Sequence, residues 1–276
     1  MTGTAPVPVA FFDVDETLIA AKSMLAFWDF WSASPEARRI PAHPSEPGEG
    51  PAKGLETAHR AGRPAPATAA GPALDGGGVP ADRSVLNREY YRRFTGVPLA
   101  DLRAVARRWY DAYRTGGRAF LTAGLGALAR HRALGHEVVL VSGSLRPVLD
   151  AVAADLGATA VRCAEQAVTP DGLLTGEIDR PMIGRAKADA VEAFLAERGA
   201  HGPDCHAYGD HDSDLPMLRS VGHPVVVGGS PALLREATRL GWPVLPAHRG
   251  PHPSLAAGRR PRPAPGRGHD PAGRER

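Results

Sequence analysis

Short apolar runs separated by segments of helical period leave this chain few folds to choose from. "EVVLV" at 137–141 is almost continuously apolar, and "VPVAFF" at 7–12 and "PVVV" at 224–227 are similar. Strands apolar on both faces need helices above and below the sheet, which is the habit of parallel strands. The intervening segments supply those helices. From Leu99 to Tyr113, Leu99, Leu102, Val105, Ala106, Trp109, Tyr110 and Tyr113 fall at steps of three and four, which predicts an amphipathic helix. Arg185–Arg198 repeats the pattern with Ala190, Val191, Phe194 and Leu195, and Gly199 is its stop. Further helices are expected over Met24–Ala33, Val85–Phe94, Leu121–Leu134 and 145–156. Short strands are expected at "CHAY" (205–208) and "WPVL" (242–245), and a hairpin arm at "LLTGEI" (173–178). Strand and helix in alternation imply an α/β fold, a doubly wound, mostly parallel Rossmann-like sheet. The helical stretch 24–125 interrupts that alternation and reads as an inserted cap domain.

The expected organisation is therefore a catalytic core built from residues 5–23 and 126–248, a helical cap over 24–125, and a basic tail over 249–276. Within the cap, residues 41–80 hold eight Pro and eight Gly, a composition that predicts a flexible insert and no packed element. Hydrophobic residues at 43% and charged residues at 23% are the proportions of a globular chain. The net charge of +3 belongs to the tail, where residues 251–276 carry six Arg against Asp270 and Glu275. The basic balance thus gives no reason to expect a body that binds nucleic acid. Two cysteines, Cys163 and Cys205, make neither a disulfide framework nor a zinc motif. The N-terminus has no basic region leading into a long apolar stretch, and no 18-residue apolar run occurs. No signal peptide and no membrane contact are expected, and the expected compartment is the cytoplasm.

In open α/β sheets ligands bind beyond the carboxyl ends of the strands. After the first strand come Asp13, Asp15 and Thr17. "EVVLV" is followed by Ser142, Gly143 and Ser144, and "CHAY" by Gly209, Asp210, Asp212 and Asp214, while Lys187 lies near the start of the 185–198 helix. Carboxylates gathered at one edge repel unless a cation sits among them, and hard oxygen ligands suit Mg2+ with substrate phosphate and water. A lysine and a serine hydroxyl complete a cradle for a phosphoryl group. One carboxylate can attack phosphorus as a nucleophile, and a second, two residues on, points the same way and can move the proton. Calcium loops are a rival reading of "DVDETL" and "DHDSDL". Their sixth positions, however, are Leu18 and Leu215 where such a loop needs Gly, and their twelfth are Met24 and Val221 where it needs Glu.

The ordered set "DVDET" (13–17), "VSGS" (141–144), Lys187 and "GDHDSDLPML" (209–218) resembles the four motifs of the haloacid dehalogenase-like hydrolase superfamily. The helical insert and the interval from Lys187 to Asp210 resemble the branch, subfamily IB, that includes phosphoserine phosphatase. The resemblance implies an Mg2+-dependent phosphatase that hydrolyses a small phosphorylated metabolite through an aspartyl-phosphate. It implies Asp13 as nucleophile and Asp15 as general acid and base. Asp13, the backbone carbonyl of Asp15, and Asp210 would hold the metal, with Asp214 a further ligand or a support. Ser142, Gly143, Thr17 and Lys187 would bind phosphate. The chain departs from phosphoserine phosphatase nine residues after the nucleophile, where Lys22 stands in place of the Glu that resembles an ammonium anchor. Ser213 replaces the usual asparagine. Lys22 would attract an anion, so an anionic or hydroxyl-rich substrate is expected over phosphoserine. A phosphotransferase of the same fold, and a regulatory module using the basic tail, remain alternatives at this point.

Overall fold

The computed structural model describes residues 7–39 and 82–253. The insert expected over 41–80, and the tail beyond residue 253, lie outside the described residues. Six strands form one sheet in which every paired neighbour is parallel. Their order is β4 (Ala160–Arg162), β3 (Glu137–Val141), β1 (Val9–Phe12), β7 (His206–Gly209), β8 (His223–Val227) and β9 (Val244–Leu245). From β1 the chain steps outward through β3 to β4, then returns to the other side of β1 and steps outward again. The direction reverses between β1 and β7, and that reversal opens a crevice at the carboxyl ends of the two strands.

The pleat of β1 divides the core. Ala10 and Phe12 face one cluster with Val138, Leu140 and Tyr208, while Val9 and Phe11 face another with Val139, Val141 and Ala207. Helices α4 (Thr122–Ala133) and α5 (Arg146–Leu156) cover the first face with Leu125, Leu128, Val148 and Val152. Helices α6 (Arg185–Arg198), α7 (Leu215–Arg219) and α8 (Pro231–Leu240) cover the second with Val191, Phe194, Leu218 and Leu233. Phe194 meets Phe11 edge-on at 5.8 Å. Each such fully buried large side chain stabilises the fold by about 1.5–3 kcal/mol.

Among the described residues three α-helices precede α4: α1 (Ser23–Ser32), α2 (Arg83–Arg92) and α3 (Leu99–Tyr113). Aromatic rings join them. Phe27 contacts Phe94 at 6.2 Å and Trp109 at 6.0 Å, and Trp31 meets Phe94 at 5.6 Å. This aromatic group is continuous with the core on the first sheet face. Tyr110 on α3 also donates a hydrogen bond to Asp155 on α5 at 2.8 Å. The helical insert is thus packed onto the sheet through shared core, and its position over the crevice is set by that packing.

Smaller ladders complete the fold. β5 (Gln166–Val168) and β6 (Leu174–Ile178) form an antiparallel hairpin. β2 (Phe120–Leu121) pairs with β10 (Arg249–Gly250), so the first residues of the segment read as a basic tail take part in a ladder.

Candidate active site

The tip of β1 is anchored to β7, because the Asp13 N–H donates to the Tyr208 carbonyl at 2.9 Å. The chain then coils tightly. The N–H groups of Leu18 and Ile19 both reach the Val14 carbonyl, at 2.9 and 3.0 Å. That tightness forces Glu16 to a φ of +56°, left-handed and uncommon for a residue with a Cβ. Gly124 on α4 lets the helix approach this coil closely. A Cβ there would lie 2.1 Å from the Thr17 carbonyl oxygen.

Of the nine residues given a catalytic, binding or metal role from the sequence, eight line a single cavity of about 280 Å3: Asp13, Asp15, Lys22, Ser142, Gly143, Lys187, Asp210 and Asp214. Its size suits a small molecule. Thr17 is buried behind the wall, and its hydroxyl donates to Asp210 Oδ1 at 3.2 Å. It orients a carboxylate and is not part of the lining.

Lys187 is the centre of the charge network. It is buried, and its Nζ is 2.6 Å from both Asp13 Oδ1 and Asp214 Oδ1. Burial alone would lower its pKa, but the two carboxylates override this and hold it above the ordinary lysine value. Asp214 has both oxygens committed, since Oδ2 accepts from the backbone N–H groups of Asp210 and His211 at 3.2 and 3.1 Å. Asp13, Asp210 and Asp214 offer carboxylate oxygens within 4.8 Å of one another. Burial, then the Asp13 and Asp214 charges, raise the Asp210 carboxyl to about 9. Burial also raises Asp13 to about 6 against the pull of Lys187. One ammonium among three acids leaves the group short of positive charge, and the donors are hard oxygens. This set fits a divalent cation of the Mg2+ type.

Asp15 differs from its neighbours. Its Oδ2 accepts from the Ser23 N–H at 2.9 Å, while its Oδ1 is buried without a hydrogen-bond partner among the described residues. Burial, followed by the Asp13 charge, raises it to about 7. Opposite, the Ser142 hydroxyl accepts from the Ser144 N–H at 3.2 Å, and the Ser144 hydroxyl contacts that of Ser23 at 2.6 Å. Helix α2 closes the top. Asn87 donates to the Gly143 carbonyl at 3.0 Å and Tyr91 to the Ser144 carbonyl at 3.0 Å.

Lys22 lies at the mouth. Its side chain is 63% exposed, and its ammonium is 3.6 Å from Glu16. Arg83, at the start of α2, also lines the cavity, with its guanidinium on the His211 ring and 3.3 Å from the Ser213 hydroxyl. Arg83, Asn87, Tyr90 and Ser23 were not singled out from the sequence. For Arg83 one signal existed, a basic residue directly after the helix cap Asp82. Met24, Leu25, Leu86, Met182 and Ile183 supply apolar wall.

A family model for haloacid dehalogenase-like hydrolases matches residues 10–219. The inhibition of morphological differentiation protein of Streptomyces azureus is 39% identical over 122 residues, 44% of each chain. A probable phosphatase of Mycobacterium tuberculosis is 39% identical over 137 residues, 47% of each chain. The aligned part thus spans about half the length of these curated relatives. The crystal structure of phosphoserine phosphatase in its apo form superposes with a TM-score of 0.55 at 15% identity, over 90% of this chain and 96% of that one. The likeness establishes the fold.

Proposed function

The chain belongs to the haloacid dehalogenase-like hydrolase family, and from that premise we propose that it hydrolyses a small phosphomonoester through an aspartyl-phosphate on Asp13. The observation that carries this reading is the pairing of two unlike carboxylates in one cavity. Asp13 is held by the Lys187 ammonium, and Asp15 keeps one oxygen unpartnered among the described residues.

In the first step an Asp13 oxygen attacks phosphorus and the bond to the leaving alkoxide breaks. Asp15, protonated, gives its proton to that alkoxide. In the second step water attacks the phosphorus and its proton passes to Asp15. The bond to Asp13 breaks, and inorganic phosphate and both starting side chains are restored. The unpartnered Oδ1 is where Asp15 can carry the proton, and the Ser23 N–H holds Oδ2 in place. Ser142, the Gly143 backbone and Lys187 bind the transferring group. Asp13, the Asp15 carbonyl and Asp210 would hold Mg2+, while Asp214, with both oxygens engaged, acts as a support that positions Lys187 and the 210–211 backbone. Bound Mg2+ would offset the negative charge shared by the carboxylates and the phosphate.

The relative of M. tuberculosis named a probable phosphatase supports the same reaction class. The two cations at the mouth, Lys22 and Arg83, support a substrate whose leaving part is anionic or hydroxyl-rich. A cytoplasmic setting and no nucleic-acid partner complete the reading. Among the described residues no helix is long and apolar enough to cross a membrane. The test is phosphate release from a panel of phosphomonoesters with Mg2+, spanning anionic, sugar-like and ammonium-bearing leaving groups. Release from the anionic or hydroxyl-rich members is expected. No release from any member would overturn the proposal.

A further inference from the structure

At the opposite, amino-terminal edge of the sheet, histidines collect where the proposed hydrolysis needs none. His131 lies in the last turn of α4, His136 just precedes β3, and His206 opens β7. His223 opens β8 in register with His206, and their rings stack at 4.6 Å. His131 is buried; its Nδ1 is 2.9 Å from His136 Nδ1, and its Nε2 is 2.9 Å from the Tyr208 hydroxyl. The rings of His131 and His206 are 4.5 Å apart. One nitrogen from each of His131, His136 and His206 lies within 4.8 Å of the other two. His206 Nδ1 is buried and has no hydrogen-bond partner among the described residues.

We propose that His131, His136 and His206 form a second metal site, selective for a borderline divalent transition ion such as Zn2+ and separate from the carboxylate site.

Three imidazoles are the ligand set that Zn2+, Co2+, Ni2+ and Cu2+ favour, and one that Mg2+ avoids. Imidazole must be neutral to ligate. Burial, then neighbouring histidines, lower His131 and His206 to about 4, so both are neutral at physiological pH. The Tyr208 hydroxyl on His131 Nε2 fixes that ring with Nδ1 toward His136, the kind of support that metal-bound histidines usually have. At a Zn–N distance of about 2.05 Å, tetrahedral ligands stand about 3.3 Å apart. The observed spread therefore needs side-chain shifts of about an ångström, within reach of the half-exposed His136 and His206. Packing alone would explain the His131 contacts with His136 and Tyr208, yet it leaves the buried His206 nitrogen without a role. Arg130 sits close enough to oppose positive charge here, a cost the three ligands must offset.

The test is equilibrium dialysis of Zn2+ against the full-length protein, stripped with chelator and held in excess Mg2+, beside the variants Asp210→Asn, His136→Gln and His206→Gln. Wild type and Asp210→Asn should bind one Zn2+ at the histidines with equal affinity and gain melting temperature from it. Each histidine variant should bind at least about tenfold more weakly and gain little, while its metal-free melting stays near wild type. Co2+ loading should give intense visible bands in wild type that are lost in the histidine variants. No Zn2+ binding by the wild type would overturn the proposal. So would binding that both histidine variants keep and Asp210→Asn loses.

Discussion

At the residue scale the site works by giving chemically identical groups unlike surroundings. Asp13, Asp15, Asp210 and Asp214 are one residue type, yet only Asp13 and Asp214 touch the Lys187 ammonium, and Asp15 alone leaves a buried oxygen unpartnered. Asp210 touches no ammonium in the hydrogen-bonding network and is raised most, to about 9. It is the residue with most to gain from a cation. Asp210→Ala should therefore raise the Mg2+ concentration needed for half-maximal turnover by roughly tenfold to a hundredfold. An Mg2+ titration at fixed substrate reads this directly, and an unchanged midpoint would remove Asp210 from the metal set.

The two cations at the mouth can be ranked by surroundings as well. Lys22 is mostly exposed and already faces Glu16 at 3.6 Å, so solvent and its partner both weaken its reach. Arg83 is exposed too, but its guanidinium is tethered over the cavity by His211 and Ser213. Arg83→Gln should lower kcat/KM for an anionic substrate by about tenfold, and Lys22→Gln by about threefold or less. Matched kinetics on an anionic and a neutral ester decide it. A larger loss in the lysine variant would restore the leading role that the sequence suggested for Lys22. Lys22 was legible because it stands at a counted distance from Asp13. Arg83 was not, because a basic residue after the cap Asp82 marks a helix start but does not tell which face of that helix will meet a site assembled from residues as far apart as Asp13, Ser142, Lys187 and Asp214.

At the element scale the turn after β1 depends on a close approach. Gly124 brings α4 against the Thr17 carbonyl, and an added Cβ would meet backbone, which cannot rotate away. Gly124→Ala should destabilise the protein by about 1–3 kcal/mol and lower turnover as well, because the displaced coil carries Asp13 and Asp15. Urea unfolding together with activity checks this, and a variant as stable and active as wild type would contradict the packing. Elements with strong periodicity were legible almost to the residue: Leu99–Tyr113, Arg185–Arg198 and Glu137–Val141 match their expected bounds. The edge strand Ala160–Arg162 was not anticipated, since three residues carry no period. Pro231–Leu240 was also missed, although Ser230 caps it, proline opens it and Gly241 ends it. Those signals mark its two ends, but Arg235, Glu236, Thr238 and Arg239 interrupt its interior, so no continuous apolar run marks it.

At the scale of the whole molecule, strand order does what no single motif can. Placing β1 between β3 and β7 brings together residues from 13 to 214 at one end of the sheet. The motif order in the sequence made this convergence legible, whereas the overlying helix α2 and its contacts to Gly143 and Ser144 required the fold. Among the described residues, those lining the cavity run from Asp13 to Asp214. Removing residues 254–276 should therefore leave kcat and KM for the preferred ester within about twofold of full length, since surface changes remote from a site are usually near neutral. A large loss on truncation would give the basic tail a part in catalysis.

The central claim is that Asp13 carries the phosphoryl group, and turnover by Asp13→Asn tests it most directly. The substitution is nearly isosteric and keeps an oxygen for Lys187, so circular dichroism and melting should match wild type. With saturating Mg2+ and the best substrate of the panel, phosphate release should fall by at least about a thousandfold. Release within a few-fold of wild type from the folded variant would contradict the account.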